Sequence, residues 1–262
     1  MRYNKIMFFF FIALPICIVL RLMQLIYTVD FATGFFKQEF KTFGGYILLI
    51  IFGFAAASVI FAFTAHRRPE HPPCDNIFLD ISGVLLALSL LSEIFTESMP
   101  VSLPMWQGLL LRISGFAAAV YFVLLALKNI FNFHLPKAMA VFPVVYMVSR
   151  IICNFSVISS LALISDNILL LSAYCSGLLF FLNYAKLYNG LDSEYNFRKL
   201  LATGLLTVLF SFTQSIGHIV INILTSNAYT HTTLISNIFI LFMGIFAAIF
   251  ILFHFSHKNA CE

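Results

Sequence analysis

The sequence predicts an all-α, polytopic transmembrane bundle of eight spans with both termini on the cytoplasmic side. Three observations predict it. Apolar residues make up 61% of the 262-residue chain and charged residues only 10%, whereas soluble domains carry roughly 25% charge. Eight apolar stretches of about 20 residues follow one another, each long enough to cross a hydrocarbon core of about 30 Å at 1.5 Å per residue. Finally, the Lys and Arg residues between them fall almost entirely in every second gap.

In chain order the spans are read at residues 6–27, 43–65, 77–97, 107–128, 139–160, 166–188, 200–224 and 232–255. The first follows Arg2 and Lys5 and resembles the apolar part of a secretory signal. No small-residue cleavage site comes after it, and Arg21, Met23 and Gln24 stand there instead, so an uncleaved first span is expected. Arg67 and Arg68 follow the second span, Lys128 and Lys137 flank the gap after the fourth, and Lys186, Arg198 and Lys199 that after the sixth. Lys258 lies beyond the eighth. The first loop has Lys37 and Lys41 against Asp30 and Glu39, and the third, fifth and seventh loops have no basic residue. The positive-inside bias then puts both ends of the chain inside.

The longest polar connection, near 189–198, is too short to fold alone, so residues 1–262 are read as a single membrane domain with no soluble domain. The net charge of +4 reflects orientation rather than an anionic macromolecule, and no nucleic-acid partner is expected. Five scattered cysteines without CxxC spacing define neither a disulfide framework nor a zinc site. The 32 Phe residues are read as lipid-facing, because Phe inserts favourably there.

Two repeated patterns stand out. Glu93 and Glu97 follow Gly83 at offsets at which Gln214 and His218 follow Gly204, and Pro15 then Arg21 resembles Pro143 then Arg150 with a one-residue slip. Two readings remain open: chance matching of apolar helices, or a parallel 4+4 internal repeat with halves 1–134 and 135–262 related by a pseudo-two-fold along the membrane normal. The string GFAAA at Gly53 and Gly115, with a related one at Gly244, predicts helix contact faces, since small residues let backbones approach in lipid.

The candidate site residues are the ionisable and amide groups inside the spans: Arg150 near the centre, Arg21, Glu93, Glu97, Arg112, Gln214, His218 and Asn222 in the outer half, and Asp166 at the outer mouth of the sixth span. A central Arg is costly, by about 3 kcal/mol on insertion scales, and is expected to face inward and find a partner among Glu93, Glu97 and Asp166. Arg21 and Arg112 lie close enough to the edge to snorkel. Glu93 and Glu97, four apart on a helix, repel one another when both are ionised. Glu93, Glu97 and His218 have metal-ligand chemistry without a recognisable ligand spacing, so no metal or other cofactor is assigned. The first external loop, DFATGFF at 30–36, reads either as an interfacial aromatic belt or as a segment folded over the polar cluster.

There is no HExxH, GxSxG or Gly-rich phosphate loop, and a non-enzymatic role is expected. The leading expectation is a cell-membrane carrier, or a transporter's membrane subunit, that binds a small polar or anionic solute from outside at Arg150, Arg21, Arg112, Glu93, Glu97, Gln214, His218 and Asp166. The alternative is a sensor, accessory subunit or scaffold that holds a membrane-protein partner and uses the same residues as a structural network. A set of near-balanced charge satisfies itself internally, which suits the second. Concentration in the outer half suits the first.

Overall fold

The computed structural model describes residues 3–29, 36–64, 76–96, 105–131, 134–158, 165–191, 194–224 and 234–256. They form eight helices: α1 Tyr3–Met23, α2 Lys41–Phe63, α3 Ile77–Thr96, α4 Met105–Phe131, α5 Phe142–Ile158, α6 Ser165–Tyr188, α7 Glu194–Leu224 and α8 Leu234–Ser256. A π-helical turn, Gln24–Thr28, continues α1, and short 3₁₀ turns precede α2 and α5. All eight helices are long and apolar enough to cross a membrane. Large apolar side chains such as Phe8, Leu49, Phe95, Phe155 and Ile223 lie exposed on the outside, where a soluble protein would place charge. The chain is thus built as a multi-pass membrane protein, its outer faces matched to lipid.

Helices α3, α4, α5, α6, α7 and α8 close into a ring in which each packs on the next and α8 packs back on α3. The α1–α2 pair lies outside that ring, against α7. Helix α7 therefore touches four others, and it is the most buried of the eight, while α2 is the least. Aromatic side chains fill the ring. Phe122 of α4, Phe180, Phe181 and Tyr184 of α6, and Phe246 and Phe250 of α8 make a continuous set of edge and tilted contacts, with Phe122 and Phe246 at 5.3 Å and Tyr184 and Phe250 also at 5.3 Å. In lipid, such packing rather than water exclusion holds helices together.

Helix α7 begins at Glu194, six residues before the apolar stretch that announced it. The added turn carries Phe197, which is buried. It also carries Arg198, whose Nη1 donates to Phe63 O at 3.4 Å, a carbonyl in the last turn of α2, where basic side chains commonly bond helix-end carbonyls.

The helix neighbours are not those of a parallel two-fold. Such an axis carries the α3–α8 contact onto α7–α4 and the α1–α7 contact onto α5–α3, and neither of these is a packed pair. The matched offsets thus have no counterpart in the arrangement of the described helices. The GFAAA contact faces divide. A Cβ built on Gly115 would lie 2.5 Å from Ile94 Cδ1, and one on Gly244 2.8 Å from Ser211 Cβ, so both glycines are contacts. Gly53 has nothing within 4 Å and looks out from the least buried helix, which corrects the expectation there.

Candidate functional site

Of the eight residues read as one site, five lie in two clusters. The ends of the helices show that both clusters share one end of the bundle. The start of α7 meets the finish of α2 through Arg198 and Phe63, and the start of α3 meets the finish of α8 through the stacked rings of Phe78 and Phe253. The finish of α7 and the start of α8, where both clusters lie, are therefore together at the opposite end.

The first cluster sits inside the ring. Arg150 Nη2 on α5 lies 2.8 Å from Glu93 Oε1 on α3. Tyr146, one turn before Arg150, donates its hydroxyl to Glu93 Oε2 at 2.7 Å. Arg150 also reaches the Ser236 hydroxyl of α8 at 3.3 Å and the Tyr174 hydroxyl of α6 at 3.4 Å, and those two hydroxyls are 3.1 Å apart. Both carboxylate oxygens and most of the guanidinium fork are thus engaged across four helices. Glu93 is 2% exposed and the Arg150 side chain 7%, so this charge pair is withdrawn from solvent. Arg150 points inward to a carboxylate, as its cost in lipid requires.

The second cluster lies between α1, α2 and α7, outside the ring. Arg21 is fully buried. Its Nη1 donates to Gln24 Oε1 in the π-helical turn that follows. Gln24 Nε2 in turn donates to Gly44 O at the start of α2 at 2.7 Å. Phe36 covers this point: a Cβ on Gly44 would lie 2.5 Å from Phe36 Cε1, so only glycine lets the ring rest there. Arg21 Nη2 faces α7 at longer range, 3.4 Å from Gln214 Oε1 and 3.5 Å from His218 Nε2. A guanidinium has no acceptor, so the Gln214 carbonyl and an unprotonated His218 Nε2 must face it, and the Gln214 amide NH₂ points away. Gln214 Nε2, the nitrogen of that amide, is buried and has no hydrogen-bond partner among the described residues. Gly217 lets α7 come close here, with Arg21 Cγ 3.2 Å from where its Cβ would be. The π-helical geometry, uncommon in itself and frequent at functional sites, aims Gln24 across to α2.

Of the remaining three residues, Arg112 alone has a described side chain. Arg112 is exposed on the outer face of α4, where snorkelling is open to it. Asp166 lies in the first turn of α6, and the description there extends to the backbone alone. Glu97 and loop residues 30–35 lie outside the described residues. Among the described residues no three His, Cys, Asp or Glu come together to hold a metal ion, and Glu93 and His218, once read side by side, belong to different clusters. Tyr146, Tyr174, Ser236, Gln24 and Gly44 were missed by the sequence reading. Two had a usable signal: Tyr146 precedes Arg150 by four residues and Gln24 follows Arg21 by three, both on a shared helix face.

Comparison with models of protein families, with curated proteins and with solved structures gives no match. The first cluster joins its guanidinium to a carboxylate at 2.8 Å. The second joins a buried guanidinium to amide and imidazole groups and leaves the Gln214 NH₂ without a partner among the described residues; guanidinium and amide donors are the kind that receive a carboxylate or phosphate oxygen.

Proposed function

We propose that the chain is a cell-membrane carrier, or the membrane subunit of a transporter, that binds a small anion at Arg21, Gln214 and His218 from the extracellular side. The observation that carries this reading is the buried amide NH₂ of Gln214, unpartnered among the described residues beside a buried guanidinium. A buried donor left unmade costs about 1–3 kcal/mol, and a bound anion or its water would offset that cost. The extracellular assignment rests on the positive-inside distribution of Lys and Arg, which puts the end holding both clusters outside. The role is non-enzymatic, a matter of binding and passage. Arg150, the anchor expected from sequence, is not part of the proposed anion site, because its charge is already neutralised by Glu93 at 2.8 Å.

The test is a thermal-shift screen of carboxylates, phosphates and amino acids on purified protein, run beside Gln214→Leu. A solute at 100 times its Kd stabilises the native state by about 2.7 kcal/mol, and the variant should lose that shift. A shift that survives Gln214→Leu unchanged refutes the site.

A second reading has an observation of its own. The Arg150–Glu93 pair and its three hydroxyls knit α3, α5, α6 and α8, as a rigid scaffold or accessory subunit for another membrane protein would need. It takes precedence if no solute shifts the wild-type protein.

A further inference from the structure

The most buried helix carries a line of polar side chains in which hydroxyls join the amide and imidazole groups singled out from the sequence. Thr207, Ser211, Gln214, Ser215, His218 and Asn222 share one face of α7, most of them three or four residues from the next, and all are buried. At 100° per residue they fall within an arc of about 120° on one side of the helix. Thr203 extends the line toward the other end, where Asn183 of α6 donates to its hydroxyl at 3.4 Å. From Thr203 to Asn222 the rise is about 28 Å, nearly the thickness of a hydrocarbon core.

Part of this line is satisfied locally. Thr207 and Ser215 donate to the carbonyls of Thr203 and Ser211, one turn back, at 2.8 and 2.5 Å. Ser211 and Gln214 are different: Ser211 Oγ and Gln214 Nε2 are buried without a hydrogen-bond partner among the described residues. They are three residues apart on the same face, next to the Arg21 cluster. A single orphan group is a packing compromise; Thr213 Oγ1, outside the arc, is one. Two adjacent orphans in line with four more polar side chains have a common remedy in water, which typically makes about three hydrogen bonds to such buried groups.

We propose that this face of α7 is a hydrated seam along which a solute bound at Arg21, Gln214 and His218 is passed across the membrane. The seam's hydration stands on the α7 face itself; its use by an anion rests on the function proposed above. Hydroxyls that donate backward to their own helix leave oxygen lone pairs turned outward, and Gln214 adds an amide donor. The lining therefore offers hydrogen bonds without a fixed charge that would trap the solute midway.

Thiol chemistry tests it. Single substitutions Ser211→Cys and Leu209→Cys differ by two residues, both positions are fully buried, and Leu209 lies on the opposite side of α7 by helical periodicity. Each is treated in membranes with a charged methanethiosulfonate, and modification is read site by site by mass spectrometry with the native cysteines in place. Ser211→Cys should react roughly tenfold faster or more, since a dry buried thiol reacts only through local opening. Equal rates, or a faster Leu209→Cys, overturn the seam. If Ser211→Cys does not assemble, Thr207→Cys against the same control gives the same decision. A dry seam with solute shifts intact removes the seam and leaves the binding site; a reactive seam with no solute shift keeps the seam and removes the anion.

Discussion

Deleting the Glu93 carboxylate should be among the most damaging single changes in the molecule, because it strands a buried guanidinium and a buried hydroxyl together. In Glu93→Leu the Arg150 guanidinium, whose side chain is 7% exposed, loses its anion in a low-dielectric site, a change worth roughly 3–5 kcal/mol. The Tyr146 hydroxyl loses its acceptor at 2.7 Å, adding about 1 kcal/mol. Native proteins are stable by only about 5–15 kcal/mol, so the single variant should unfold far earlier than wild type in a denaturant titration in detergent micelles. The double variant Glu93→Leu/Arg150→Met removes both charges together. An apolar pair replacing a buried ion pair is often neutral, so it should recover most of the loss, to within about 2 kcal/mol of wild type, with the Tyr174–Ser236 hydrogen bond still formed. The reasoning is refuted if Glu93→Leu unfolds with wild type, or if the double variant is as unstable as the two single losses added.

Packing and topology give two more expectations. Gly115→Val should destabilise by about 1–3 kcal/mol through overpacking against Ile94 and Tyr146, whereas Gly53→Ala, with open space around it, should be neutral or gain up to about 1 kcal/mol from helix propensity; melting temperatures in one detergent decide both. Cys74, which lies outside the described residues and follows Arg67 and Arg68 in the sequence, should resist an impermeant thiol reagent in intact cells and react after permeabilisation, and labelling from outside would reverse the orientation.

The spans were legible because lipid imposes one strong rule, a run of apolar residues long enough to cross, and the helices end within a few residues of where that rule puts them. Helix α7 is the exception. Its first turn is held by Phe197 packing and by Arg198 on the Phe63 carbonyl, tertiary contacts that hydropathy does not register. The inward turn of Arg150 and its carboxylate partner were also legible, from the cost of a bare charge. The division of the polar residues was not. Arg21 and Arg150 lie toward the same end of the bundle, and the ring of α3 to α8, with α1 and α2 outside it, separates them. The repeated Gly and polar offsets were a sequence pattern without a matching helix order. The Ser and Thr residues of α7 escaped notice for a simpler reason: hydroxyls satisfied by their own helix are common in membrane spans, and their significance depends on which of them find no partner.

On the proposed function, one polar cluster holds the bundle together and the other receives a solute. The most direct measurement is the solute-induced thermal shift compared in two variants, Glu93→Leu/Arg150→Met and His218→Leu, against wild type. The shift should persist in the first, whatever its basal stability, and disappear in the second. A shift lost with the Arg150–Glu93 pair and retained without His218 would contradict it.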